Sequence, residues 1–128
     1  MSYRFLIIDI SATVRALIKR SIRESEMGVQ KFFEAASGQE AMDVLRDQTV
    51  DMVLIDPRLP DMDGLELIGR IIAEPDSRGI PVVVMATRPD PRKMELLRRR
   101  GVKGHLRKPF SPQTFRTIAQ QILEPTHV

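Results

Sequence analysis

With 128 residues, a net charge of +3, 42% hydrophobic and 29% charged residues, the chain has the size and balance of one compact domain, 1–128. The absence of cysteine excludes disulfides, thiol catalysis and a thiolate zinc site, and two histidines, His105 and His127, are too few and too isolated for an imidazole metal cluster. No stretch has the length of a membrane span or the apolar region of a signal peptide, so the expected location is the cytoplasm.

In chain order, strand patterns alternate with amphipathic helix patterns. Arg4-Phe5-Leu6-Ile7-Ile8 reads as a buried strand that stops at Asp9. Ser11 is placed to cap a helix in which Val14, Leu17, Ile18 and Ile22 recur at helical spacing, with Gly28 closing that region. Lys31–Ala36 predicts a second strand, and Ser37-Gly38-Gln39-Glu40 is a capping-box pattern opening a helix through Ala41, Val44 and Leu45. Met52-Val53-Leu54-Ile55 is a short unbroken apolar run, the pattern of a strand buried on both faces, and it ends at Asp56. Pro57 and Pro60 break the chain, Asp63 is placed as a cap, and Leu65, Leu67, Ile68, Ile71 and Ile72 predict a helix that stops before Pro75. Pro81–Ala86 is an almost wholly β-branched fourth strand. Asp90-Pro91 sets a cap before a first-turn proline for the helix carrying Met94, Leu96 and Leu97, which ends at Gly101. His105-Leu106-Arg107 predicts a short fifth strand ending at Lys108, and Ser111-Pro112 starts a last helix through Phe115, Ile118 and Ile122.

Strict alternation argues for a parallel sheet with helices on both faces, and right-handed crossovers bring all the strands' carboxyl ends to one edge. Asp9, Asp56, the Ala86-Thr87 pair and Lys108 stand at four of those ends. A switch point between the first and third strands would form a crevice holding Asp9 and Asp56 together. Adjacent carboxylates repel, so they favour a bound cation or a raised pKa. Without thiolate or imidazole, the cation they suit is a hard one such as Mg2+, which takes one or two carboxylates plus phosphate oxygens. Lys108 offers a fixed positive charge for an anion at that edge, and Thr87 a hydroxyl donor. Carboxylate, metal, lysine and hydroxyl together describe a site for phosphoryl transfer onto Asp56 as nucleophile.

These residues carry a resemblance. From Phe5-Leu6-Ile7-Ile8-Asp9, through Leu59-Pro60-Asp61-Met62-Asp63-Gly64-Leu65-Glu66-Leu67, to Lys108-Pro109-Phe110, the chain resembles the receiver domains of bacterial two-component response regulators. It is most similar to the single-domain, CheY-like type, and the likeness spans essentially the whole chain. The resemblance implies a doubly wound, flavodoxin-like (βα)5 sheet with strand order 2-1-3-4-5. It implies Asp56 as acceptor of a phosphoryl group from a sensor histidine kinase or phosphotransfer protein. Asp9, Asp56 and the backbone carbonyl of Arg58 would hold Mg2+, Lys108 would contact the phosphoryl group, and a cis bond would precede Pro109. A downstream protein target is implied on the face of the fourth helix, fifth strand and fifth helix. Neither nucleic acid nor membrane is an expected partner, and activity beyond self-phosphorylation and autodephosphorylation is not expected.

Three positions depart from the family pattern. Ile10 stands where a second acidic residue is usual, which removes one oxygen ligand and is expected to weaken Mg2+ binding. The Arg58 guanidinium, two residues from Asp56, is near enough in sequence to supply positive charge instead. Ala86, aligned without a gap, takes the usual Ser/Thr switch position, so that no hydroxyl follows the phosphoryl group and Thr87 crowds the access. A one-residue shift would bring Thr87 to the phosphoryl group but would turn over the strand's faces. His105 stands at the usual aromatic switch position, where it reads either as a half-exposed strand residue or as a pH-sensitive switch.

Two other readings compete. A phosphorylation-independent pseudo-receiver is favoured by Ile10 and Ala86 and opposed by Asp56 and Lys108. A small phosphohydrolase of the haloacid-dehalogenase type would need a second Asp where Ser11 stands, and a longer chain. The basic residues Arg98, Arg99, Arg100, Lys103, Arg107 and Lys108 lack interleaved aromatics and any DNA-binding pattern. They read as a solvated helix end that complements the dipole and suits an acidic protein partner. The chain ends soon after the last helix, so output is expected to run through a separate protein.

Overall fold

Five parallel strands form one sheet in the order β2-β1-β3-β4-β5: β1 (Tyr3–Ile8), β2 (Val29–Ala35), β3 (Met52–Ile55), β4 (Val82–Ala86) and β5 (Gly104–Arg107). The computed structural model describes residues 1–74 and 79–124. Helices α1 (Ala12–Glu24), α2 (Gly38–Asp47), α3 (Gly64–Ala73), α4 (Pro91–Arg99) and α5 (Pro112–Leu123) alternate with the strands. This is the expected doubly wound arrangement with the expected strand order. Pro75 and residues 125–128, His127 among them, lie outside the described residues.

Strand alternation divides the core into two halves. Phe5 and Ile7 of β1, Met52 and Leu54 of β3, and Val83 and Met85 of β4 pack with Ile18 and Ile22 of α1 and Phe115 and Ala119 of α5. Leu6, Ile8, Val53, Ile55, Val82 and Val84 point the other way, onto Ala41 of α2, Leu67, Ile68 and Ile71 of α3, and Leu97 of α4. The middle strands are therefore buried on both faces, as their unbroken apolar runs predict. β2 and β5 are edge strands, and only one residue of each is fully buried.

Every helix opens on the cap its sequence offers. Ser11, Ser37, Asp63, Asp90 and Ser111 each accept a hydrogen bond from a first-turn backbone N–H. One further anchor was not legible from the chain order. The Asp61 carboxylate, in the loop after β3, accepts the Gly38 and Gln39 amides at the start of α2, at 2.8 and 3.0 Å. These amides hold the Asp61 carboxyl below its ordinary value.

The end of α1 differs from expectation. The helix stops at Glu24, and Glu26, not Gly28, takes the left-handed turn at φ 66°. Gly28 is needed for a different reason, because a side chain there would run into the backbone of Met1. Gly64 is under the same constraint where α3 begins, since a methyl group would collide with the backbone of Pro57, directly after Asp56. Backbone cannot yield as a flexible side chain can. Gly64→Ala is therefore expected to lower stability by about 1–3 kcal/mol and to shift the backbone amide resonances of Asp56 and Arg58. Urea unfolding and an amide correlation spectrum check both.

Candidate functional site

Strand register brings the two buried carboxylates side by side. Ile8 of β1 pairs with Ile55 of β3, so Asp9 and Asp56 follow immediately at the same edge. The Asp56 amide donates to the Ile8 carbonyl at 2.9 Å and the Asp9 amide to the Ala35 carbonyl at 3.0 Å. Lys108 arrives from β5, where its amide donates to the Ala86 carbonyl at 2.8 Å. Three elements distant in sequence thus place three charged side chains in one pocket. Asp9 is 2% exposed, Asp56 4% and Lys108 9%.

The Lys108 ammonium bridges the two acids. Its Nζ lies 2.6 Å from Asp9 Oδ2 and 2.6 Å from Asp56 Oδ2. The other Asp9 oxygen accepts the Ser11 amide at 2.9 Å. On Asp56, Oδ1 accepts the Arg58 amide at 3.0 Å and Arg58 Nε at 3.3 Å, while Oδ2 accepts Arg58 Nη2 at 3.0 Å. The guanidinium thus sits as a fork on the carboxylate, the strong form of this contact. Burial pushes the Asp56 carboxyl up, but the hydrogen bonds from Arg58 and Lys108 outweigh it and hold it below its ordinary value. Asp56 is accordingly ionised at neutral pH.

The surroundings are mostly apolar. A cavity of about 710 Å³ opens over the acids, lined by Ile10, Val14, Leu17, Pro60, Thr87 and Phe110 together with the charged residues. Ile10 is 57% exposed and contributes no oxygen. Thr87 is exposed on the cavity wall, whereas half-buried Ala86 supplies the carbonyl that holds the Lys108 amide. His105 is exposed on β5 and lines the clefts toward α4 and α5, away from the acids. The Lys108–Pro109 peptide bond is cis. Arg15 is a residue the motifs did not single out. Its Nη1 donates to the Asp9 carbonyl at 2.5 Å and its Nε to Glu34 at 3.0 Å, tying α1 and β2 to the site. The only sequence signal for it is its place one turn after the Ser11 cap.

The donor set decides how well a divalent cation suits this edge. Hard cations want oxygen ligands. Among the described residues, no cluster of three or more Asp, Glu, His or Cys could hold a metal ion. Nor is any fully buried side-chain nitrogen or oxygen among them without a hydrogen-bond partner. Two carboxylates face two cationic side chains, so the pocket is already charge-balanced. Mg2+ does not fit this arrangement without displacing Arg58 or Lys108.

Three comparisons bear on identity. The model of the response regulator receiver domain matches residues 5–120. Chemotaxis protein CheY1 of Helicobacter pylori strain J99 is 30% identical over 121 residues, covering 94% of this chain and 96% of that protein. Among solved structures, a putative response regulator from Chloroflexus aurantiacus superposes with a TM-score of 0.84 at 26% identity, covering 97% of this chain and 99% of the other. A receiver domain of a Pseudomonas aeruginosa sensor histidine kinase, solved with a magnesium ion in its active-site cleft, shares the fold with a TM-score of 0.81 at 22% identity, covering 97% of this chain and 99% of that one.

Proposed function

Because the chain belongs to the family of response regulator receiver domains, which serve two-component signalling, we propose that Asp56 accepts a phosphoryl group from a sensor histidine kinase or a phosphotransfer protein. The observation that carries this reading is the Lys108 bridge. One buried ammonium, 2.6 Å from both acids, is a fixed counter-charge beside an ionised nucleophile. In the transfer, an Asp56 oxygen attacks phosphorus and a P–O bond forms. The P–N bond of a phosphohistidine breaks, and the imidazole leaves to take up a proton from solvent. Lys108 and Arg58 offset the charge that the phosphoryl oxygens bring. Exposed Ile10 and Leu17 at the cavity rim suit a protein donor better than a freely diffusing anion.

Output is read on the face made by α4, β5 and α5, in the cytoplasm. Arg98 and Arg99 are internally paired with Glu95, whereas Arg100, Lys103 and Arg107 are exposed and make no ion pair among the described residues. That face suits an acidic protein target, with binding that weakens as salt rises.

The test is intact mass after incubation with acetyl phosphate. The expected result is a gain of one phosphoryl group in the wild type and none in Asp56→Asn. The second reading, a phosphorylation-independent binding module, is favoured by the non-ligating Ile10 and by Ala86 in place of a hydroxyl residue. Unchanged mass with acetyl phosphate and with phosphohistidine donors alike would select it.

A further inference from the structure

Two acids and two cations make up the pocket, and we propose that the Arg58 guanidinium stands where a divalent cation would act. Chemistry at Asp56 then proceeds without metal, and Mg2+ enters only by displacing Arg58. The catalytic half of this rests on Asp56 being the phosphoacceptor. The binding half does not.

Geometry is the first support. Arg58 engages both oxygens of Asp56 through Nε, Nη2 and its own amide, at 3.0–3.3 Å. A planar fork that matches a carboxylate also matches phosphoryl oxygens, which a guanidinium contacts in pairs. Position is the second. The Arg58 side chain is 74% exposed while that of Asp56 is 5% exposed, so the cationic head stands at the mouth of the pocket. It can turn toward a group attached to Asp56 without leaving water or breaking core packing. Charge balance is the third. Asp9 and Asp56 match Lys108 and Arg58 one for one, and Ile10 adds no third carboxylate to call for a doubly charged ion. Mg2+ added to that set would leave a surplus of two positive charges beside the buried Asp9, Asp56 and Lys108, and of the two cations it is the exposed Arg58 that can leave.

The test compares wild type, Arg58→Ala and Arg58→Lys; all three keep the backbone carbonyl at position 58. Magnesium chloride is titrated against each and followed by calorimetry and by the Asp56 amide resonance. Acetyl phosphate labelling is then run in EDTA and in magnesium. Removing an exposed but bidentate competitor is expected to tighten Mg2+ binding about tenfold in Arg58→Ala, with Arg58→Lys between it and the wild type. Wild type is expected to label at similar rates in EDTA and in magnesium, and Arg58→Ala to label more slowly in EDTA only. Mg2+ affinity that differs by less than twofold between wild type and Arg58→Ala overturns the proposal, as does wild-type labelling that requires magnesium. Should no variant label under any condition, with phosphohistidine donors as with acetyl phosphate, the phosphoacceptor reading fails, and the titration alone still decides whether Arg58 competes with the metal.

Discussion

Lys108→Met is expected to lower stability at pH 7 by about 3 kcal/mol. The lysine nitrogen touches Asp9 and Asp56 at once, so the two carboxylate oxygens it binds lie within about 5 Å of each other. Removing it strands two buried negative charges in a pocket that excludes most water. Arg58 still offsets part of the charge on Asp56, which sets the expectation at the lower end of what breaking a buried pair costs.

The effect has a definite pH signature. In the wild type the Asp56 carboxyl is held below its ordinary 3.8. It therefore contributes stability that is present above that value and lost as pH falls through the lower folded one. In Lys108→Met the Asp56 carboxyl loses one of the hydrogen bonds that hold it down while burial still pushes it up, so its folded value rises. The destabilisation is then full at neutral pH and fades as the pH falls and Asp56 takes up a proton. Urea unfolding at pH 7 and pH 4.5 should show the gap between variant and wild type closing at the lower pH. A gap of equal size at both would mean that lost packing, not charge, is responsible. Asp9→Asn in the Lys108→Met background should recover part of the loss, because the groups act as one unit.

Phe115→Ala is expected to cost about 3–5 kcal/mol, a large share of what holds a domain of this size folded. Phe115 lies on α5, fully buried. Its ring meets Phe5 of β1 edge-on at 5.8 Å and stacks near Phe110 at 6.0 Å. It therefore joins the last helix to the first strand and to the segment carrying Lys108. Truncation removes the transfer energy of a whole ring and leaves a cavity between elements fixed by the sheet. Phe33→Ala is the internal comparison. That ring is only half-buried on edge strand β2, under Arg4 and Lys31, and its loss should cost much less. Denaturant midpoints for the two variants check the order.

The fold was legible because its signals agree with one another. Unbroken apolar runs marked β1, β3 and β4, five caps marked the helix starts, and strict alternation led to a parallel sheet. The Asp9, Asp56 and Lys108 cluster followed, because crossovers in such a sheet can deliver carboxyl ends only to one edge. Other features depend on distances that spacing does not encode. Sequence proximity places Arg58 near Asp56 but does not encode its fork on both oxygens. Arg15 reaches the Asp9 carbonyl across the start of α1, and Asp61 reaches the first amides of α2 from another loop. Each joins elements far apart in the chain, and so leaves no periodic trace. Gly28 departs from its expected role for a related reason. Its need for a bare backbone comes from Met1 lying against it, whereas the turn itself is made by Glu26. At the end of β4, exposed Thr87 lines the cavity while Ala86 holds Lys108 through its carbonyl.

The most direct measurement locates the phosphoryl group. Wild-type protein is incubated with acetyl phosphate, reduced with borohydride so that an acyl phosphate becomes homoserine, digested, and read by peptide mass spectrometry. The expected result is homoserine at position 56 and at no other aspartate. Homoserine at position 9, or none anywhere while intact mass shows a phosphoryl group, would contradict the assignment of Asp56 as the acceptor.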